Sequence, residues 1–555
     1  MFVDLNRSDA QPVRADVVIV GTGATGLSMA MRLLKQGATV AMLETGSFER
    51  SQPAEMLSNA KVAGTLPVWI RTRSRFLGGS TNCWGGNNSP LDPIDFNRDW
   101  VPHAKWPIDI NDLARHAPEV HELFGLGVVD FSIDYWKNRL DRLSDAFLFE
   151  DSERITTKIV QKTHVGHLGQ ALEWTIEHSD RITVYLNAQV TNIVTTADGT
   201  EVAGLQARSL DQTRTVDISA NAYVLAAGPE NPRLLLASRD QSPAGVGNVH
   251  DQVGRYWIAH HSALRGWMEP SPDLDWDLYH MVPKPIGEQR IFASLQISDA
   301  EQRKHKLLNS AANFEVFRPH ASFNTRSAAV SAVKGRLGKD TTPLEAPELT
   351  PALAKNIASD TARVFARIAG TTSRKLRKQQ PRVMIRNWAE QFPHPDNRVT
   401  LAEPTDRFGT PLMKVTSNLQ PQDRETLQNS FETFASEFEA FGYGRWHSDF
   451  PEGTEWPAGS INTSHFMGGT RMSKQPEDGV VDEHGQVHGV ENLYIAGGSL
   501  FPSAGVSMVT YTAVLLSLRT ADRILSKAAG EAPRHNPERS APAITRQAPS
   551  DSPTA

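Results

Sequence analysis

Residues 15–46, ADVVIVGTGATGLSMAMRLLKQGATVAMLETG, constrain the fold more than any other part of the chain. A β-branched run at 17–20 leads straight into Gly21, Gly23 and Gly26, and an apolar helical spacing follows over 27–34. An unbroken run of valine and isoleucine suits a strand buried on both faces, as in parallel sheets. Each glycine then has its own reason. Gly21 permits the tight turn, Gly23 lets the backbone approach a pyrophosphate, and Gly26 lets helix and strand pack closely. The helix opening near Ala24 offers free N–H groups and a partial positive charge to phosphate oxygens. Glu44 ends the second strand, eighteen residues after Gly26, where a carboxylate can accept from a ribose diol. A carboxylate there disfavours a 2′-phosphate. Glycines serving packing alone would not need that acid, so the pattern predicts a Rossmann-like unit for FAD or NAD.

The rest of the chain separates those two dinucleotides. A nicotinamide enzyme usually keeps consecutive βα repeats. Here one βαβ unit is followed by a loop rich in Gly, Asn and Trp, residues 73–96. The next matching strand, AYVLAAGPEN, begins at residue 222, and another, NLYIAGGSLFP, at 492. That interleaving favours an extended cofactor held along its length by distant segments, which is FAD rather than NAD. Paired strands are expected at 181–196 and 201–208, strand–turn–helix at 221–238, and a strand at 290–298. The basic piece at 371–382 reads as a solvated face, and the Pro/Ala/Ser-rich tail at 528–555 as disordered.

Composition excludes several classes. With 555 residues, 39% apolar and 22% charged, the chain has ample length for a core. A net charge of −6 lacks the basic excess of a nucleic-acid surface. One cysteine, Cys83, permits no intrachain disulfide and no cysteine-only metal cluster, and no metal site is expected. No basic-then-apolar leader opens the sequence and no run of about twenty apolar residues occurs, so a cytoplasmic location without a membrane span is expected.

Several pieces together carry a family resemblance: VVIVGTGATG, FLGGSTNCWGG, AYVLAAGPENPRLLLAS, VGRYWIAHH, EQFPHPDNRVTL and the closing block SHFMGGTRM to SMVTYT. Most of the chain resembles the glucose–methanol–choline (GMC) oxidoreductases, nearest to the bacterial sugar-oxidising branch of pyranose oxidases and gluconate-type dehydrogenases. The resemblance implies bound FAD, an α/β FAD-binding domain interleaved with a substrate domain built on an antiparallel sheet with helices, and oxidation of an alcohol by hydride transfer to flavin N5. The FAD-binding domain is expected from residues 13–95, 181–262 and 455–527, and the substrate domain from 96–180 and 263–454.

The family's catalytic histidine falls on His465. Taking the hydroxyl proton eases removal of the neighbouring hydride, and imidazole titrates in the right range. The family's second catalytic residue, Asn or His, falls on Met508, which neither donates a strong hydrogen bond nor takes a proton. Three readings stay open. His465 acts with Ser507, Thr510 or water; His260 or His261 or a substrate-domain group replaces the partner; or the scaffold serves lyase, isomerase or reductive chemistry, or has lost activity. In the flavin loop, Gly78, Gly79 and Ser80 can present N–H groups to the pyrophosphate, with Asn82 beside them. Cys83 stands where a relative's histidine carries a covalent flavin link; it is either a thiol packed against the ring or such a link. Val190 is placed at the adenine, Gly228 and Glu230 near the adenosine, Gly497 and Gly498 near the pyrophosphate, and Val509 near the ring. The expected substrate is a small-molecule alcohol or sugar, with oxygen, a quinone and a cytochrome all open as electron acceptors.

Overall fold

The nucleotide turn grows out of strand β1 (Val13–Val20), whose last four residues are buried on both faces. Such a strand has parallel neighbours. β1 lies between β2 (Val40–Leu43) and β4 (Thr215–Leu225), parallel to both, with Val17 opposite Val40 and Ala222. β3 (Ala188–Thr195) and the strand Val202–Ser209 extend this eight-stranded sheet as an antiparallel flank. β10 (Leu493–Ile495) returns from near the end of the chain to run parallel to β4, with Ile495 opposite Leu225. Helix α1 (Ala24–Lys35) follows the turn and packs against α4 (Val509–Ala528). The cofactor unit is therefore assembled from segments almost five hundred residues apart. This is a computed structural model, and it describes residues 1–7, 12–66, 72–139, 147–317, 382–451, 453, 456 and 461–530.

A second, nine-stranded antiparallel sheet stands beside the first. Its centre runs β5 (Ile258–Pro270), β8 (Arg382–Ala389), β7 (Ser310–Phe317), β6 (Gln289–Ile297) and then Ile155–Lys162, with β9 (Ile461–Met467) pairing β5. Side chains alternate across a strand, and here the two faces part cleanly. Ile291, Ala293, Leu295, Phe314 and Ile385 pack under α3 (Pro421–Ala440) with Leu427, Phe434 and Phe438. Phe292, Ala311 and Trp388 take the opposite face, where they meet Val506 and Met508 just ahead of α4. That second face and the nucleotide turn line the same cavity. The sheets share the chain differently from the expected boundaries. The break set at 262 falls inside β5, and β9, assigned to the FAD-binding part, belongs to the second sheet. Helix α2 (Asn231–Ala237) follows β4 as the sequence suggests. Residues 371–381 and the tail beyond 530 lie outside the described residues. No helix among the described residues is long and apolar enough to cross a membrane.

Candidate functional site

A cavity of about 680 Å³ runs from the nucleotide turn to the inner face of the second sheet, a size suited to a cofactor and a small ligand. At its first end Gly21 turns with φ +103, a conformation L side chains rarely adopt. A Cβ at Gly26 would collide with the Gly21 carbonyl, whereas one at Gly23 would meet no protein atom within 4 Å. The roles divide accordingly: Gly26 seats helix on turn, and Gly23 leaves open the space a phosphate would fill. α1 begins without a capping side chain and with no acid in its first turn, so its N–H groups face the cavity uncompensated. Gly26→Ala is expected to cost about 1–3 kcal/mol of overpacking and to lower flavin retained per protein after gel filtration. Full retention would show that the close seating is dispensable.

Glu44 is 5% exposed and lines the cavity. Its Oε2 accepts from Thr22 N at 3.2 Å and Thr22 Oγ1 at 2.5 Å, and its Oε1 from Gly46 N at 3.1 Å. A carboxylate offers about four acceptor positions, so one is left for a ribose hydroxyl. Ala24, Gly79, Ser80, Val190, Gly228, Gly497, Gly498 and Val509 also line the cavity. Gly78 and Asn82 do not. The Gly78 N–H donates to Thr22 Oγ1 at 3.3 Å and the Asn82 amide to Leu77 O at 3.0 Å, so both brace the loop from behind. Cys83 lines the cavity with its thiol 3.2 Å from Thr72 O. Glu230 lines it too, held by Arg73 at 2.5 Å, Arg75 at 3.2 Å and Arg233 at 3.4 Å. Burial pushes this carboxyl up, but the three guanidinium groups more than offset it and hold it at about 2. These arginines were not singled out from sequence; Arg73 and Arg75 sit in a loop that gave no charge pattern.

The other end is organised by a defect in β9. Ala259 pairs with Phe466 and His261 with Asn462, so residues 463–465 stand opposite His260 alone. Such a bulge re-aims side chains. Ser464 takes φ +66 within it, and its N–H donates to Asn462 Oδ1 at 2.6 Å. His465 is thereby turned into the cavity wall, where its Nδ1 lies 2.9 Å from His260 Nδ1. His260 Nε2 in turn lies 2.8 Å from Gly505 O. Burial, with His260 alongside, pushes the His465 pKa down to about 3, and burial lowers that of His260 as well. Both rings are neutral at ordinary pH. His465 Nε2 has no hydrogen-bond partner among the described residues. His261 falls on the opposite face of β5, its ring 6.3 Å from that of Trp456, and does not line the cavity.

Met508 occupies the position before α4 without capping it and lines the same cavity as this imidazole. Only 5% exposed, it packs with Val160, Phe292 and Trp388, while its N–H donates to Ser89 Oγ at 3.1 Å. The thioether therefore completes an apolar wall. Thr510 lines the cavity, whereas Ser507 does not. The uncapped N-terminus of the twenty-residue α4 gives this end a partial positive charge. Sequence reasoning missed Ser262, Asn313, Arg386 and Trp388, which also line this end. They belong together because Ser262 pairs with Trp388 and Asn313 with Arg386 across neighbouring strands. A glycine turn with an uncapped helix end, a buried carboxylate with one acceptor position open and an inner chamber holding a partnerless imidazole nitrogen fit an extended dinucleotide carrying a redox ring.

Residues 16–314 match the family model described as FAD dependent oxidoreductase, and residues 393–517 match the C-terminal model of GMC oxidoreductases. The sequence is 23% identical to 6'''-hydroxyparomomycin C oxidase of Streptomyces lividus, over 94% of this chain and 93% of that protein. It is 23% identical to paromamine 6'-oxidase of Streptomyces fradiae, over 92% and 91%. It is 27% identical to the fructose dehydrogenase large subunit of Gluconobacter japonicus over 56% of this chain, which spans about half, 48%, of that subunit. Among solved structures, formate oxidase superposes with a TM-score of 0.52 at 17% identity, over 94% of this chain and 100% of that one. Pyridoxine 4-oxidase from Mesorbium loti gives 0.51 at 15%, over 92% and 98%. At these identities the structural likeness speaks for the fold.

Proposed function

Because this chain belongs to the GMC oxidoreductases, FAD-dependent enzymes acting on CH–OH groups, we propose that it oxidises a primary or secondary alcohol of a sugar, glycoside or polyol with His465 as the base. The observation that carries this reading is a neutral imidazole on the inner wall, with Nδ1 engaged and Nε2 free. Bound FAD supplies the acceptor for the hydride that leaves the carbinol carbon. His465 Nε2 takes the hydroxyl proton, so the alcohol becomes a carbonyl as the C–H and O–H bonds break. General-base help of this kind is worth roughly 10²- to 10⁴-fold. Gly21, Gly23, Ala24, Glu44 and Ser80 would hold the cofactor's nucleotide half, and Met508 and Val509 would flank its ring.

Met508 gives the substrate no hydrogen bond. Orientation of the hydroxyl then falls to the polar groups opposite, Ser262, Asn313, Arg386 and Thr510. Such a chamber suits a hydroxyl-rich molecule, and two of the relatives are by name oxidases of 6'''-hydroxyparomomycin C and of paromamine. The retained imidazole favours alcohol oxidation over lyase, isomerase or reductive chemistry. The test is a panel of sugars, glycosides and polyols mixed anaerobically with the yellow protein. At least one is expected to bleach the oxidised flavin and yield a carbonyl product. A panel that leaves the flavin oxidised, while a chemical reductant bleaches it, would overturn the reading.

A further inference from the structure

We propose that His260 is a positioning residue, fixing His465 in the tautomer whose Nε2 lone pair faces the cavity. This deepens the reading of His465 as the base and rests on it. The hydrogens can be counted along a short chain of contacts. Gly505 O can only accept, so His260 Nε2, 2.8 Å away, carries a hydrogen. A neutral imidazole has one N–H, which leaves His260 Nδ1 with a lone pair. The 2.9 Å contact between the two Nδ1 atoms needs one donor, and that donor must be His465 Nδ1. Its Nε2 is then bare. One backbone carbonyl, two rings away, decides which nitrogen can take the proton.

The carbonyl is itself held in place. The neighbouring Ala504 N–H donates to Glu390 Oε1 at 2.9 Å. Gly505 has φ +51, and a Cβ there would collide with the Asp95 carboxylate, so the turn sits hard against a buried wall. On the other side the bulge of β9 holds the imidazole opposite His260, where Thr463 Oγ1 donates to His260 O at 3.3 Å. The arrangement also acts after proton uptake. His465 then carries a positive charge, and its Nδ1–H donates to the His260 lone pair as a charge-assisted bond, stronger than the neutral one before it. The proton can be shared between the rings but goes no further, because the Gly505 carbonyl cannot accept it. A base oriented by a third group is the general logic of activated catalytic pairs. Here the orienting group replaces nothing at the substrate; it acts only through His465.

The experiment uses FAD-loaded protein in four forms: wild type, His260→Leu, His260→Asn and His465→Ala. Nitrogen-15-labelled histidine reports the tautomer, with the His465 signals identified by their loss in His465→Ala. Rapid anaerobic mixing reports flavin reduction. In the wild type His465 should show a protonated Nδ1 and a bare Nε2. His260→Leu, which offers no acceptor, should mix the tautomers and slow reduction at saturating substrate at least roughly tenfold with KM little changed, since a mis-set tautomer costs up to about 10⁴ in a hydrolase triad. His260→Asn, whose amide oxygen can accept from Nδ1–H, should recover most of the rate. A protonated Nε2 in the wild type, or a Leu variant as fast as wild type, overturns the proposal. If the Leu variant fails to fold, the wild-type signals alone decide. A His465→Ala variant with an unimpaired rate would instead overturn His465 as the base, a separate failure from that of the tautomer assignment.

Discussion

His465→Ala is expected to slow reduction of bound FAD by substrate at least about a hundredfold, the lower end of what a general base contributes, with the flavin content unchanged. The two halves of this expectation rest on different parts of the site. Cofactor retention depends on the turn at Gly21–Gly26, on Glu44 and on the loop at Gly79–Ser80, which belong to other elements than β9. Proton removal depends on the one nitrogen with no protein partner. Burial holds that ring neutral down to about pH 3, so the base is available across the ordinary range. The rate step should therefore show no protonation of His465 between pH 5 and 8. The substitution also strands the lone pair of His260, which costs about 1–3 kcal/mol of stability. That loss is read separately in urea and does not mimic a rate defect in folded, yellow protein. Stopped-flow mixing without oxygen gives the number, and a variant as fast as wild type would remove His465 from the chemistry.

Arg98→Leu is expected to cost about 3–5 kcal/mol of folding stability, the usual result of removing one partner of a buried pair. Arg98 and Glu390 have fully buried side chains and meet in a two-pronged contact, Nη1 to Oε2 at 2.5 Å and Nη2 to Oε1 at 2.8 Å. Asp95 adds a second carboxylate 3.7 Å away. Burial pushes both acids up. At Glu390 the guanidinium more than offsets it and holds the carboxyl below the usual range, whereas Asp95 stays up at about 7. The sign of the pH dependence follows. A carboxylate whose pKa is lower folded than unfolded contributes stability above the unfolded value, about 4.3 for glutamate, and that contribution is lost as the pH falls through the folded value. The gap between wild type and Arg98→Leu should thus be at full width near pH 7 and narrow only at a pH well below about 4.3. Replacing both residues by leucine should recover part of the loss, because Glu390 is then no longer a buried charge without its partner and only Asp95 still lacks the guanidinium. Urea midpoints at the two pH values check this; a single-variant cost under about 1 kcal/mol would show that the pair does not hold the interior. The turn at Ala504 and Gly505 rests on Glu390, so the same variant should also slow flavin reduction.

The nucleotide turn was legible in the sequence because its chemistry is local. Strand, glycine spacing, helix start and Glu44 lie within thirty residues, and each has a direct physical reason. The return of β10 was legible too, since AYVLAAG and LYIAGG repeat the buried-strand pattern. The division between sheets was not, because no glycine or proline interrupts residues 255–265 to mark a boundary, and β5 continues through them to Pro270. His260 was in view only as one of two adjacent histidines. Strand alternation sends one inward and one outward, and it takes the bulge of residues 463–465 opposite His260 to say which. The Arg98–Glu390 pair, 292 residues apart, leaves no local trace at all. Gly78 and Asn82 show the converse limit. Neighbours of Gly79 and Ser80 in one loop, they face the other way, because a turn does not keep its side chains on one surface. Met508 makes sense only in three dimensions, where Val160, Phe292 and Trp388 surround it.

The most direct test is a crystal structure of the FAD-loaded protein with an unreactive polyol bound. The redox ring is expected against the wall made by His465, Met508 and Val509, with one polyol hydroxyl within about 2.6–3.2 Å of His465 Nε2. A ring lodged elsewhere, or a hydroxyl held by other groups while Nε2 faces protein, would contradict it.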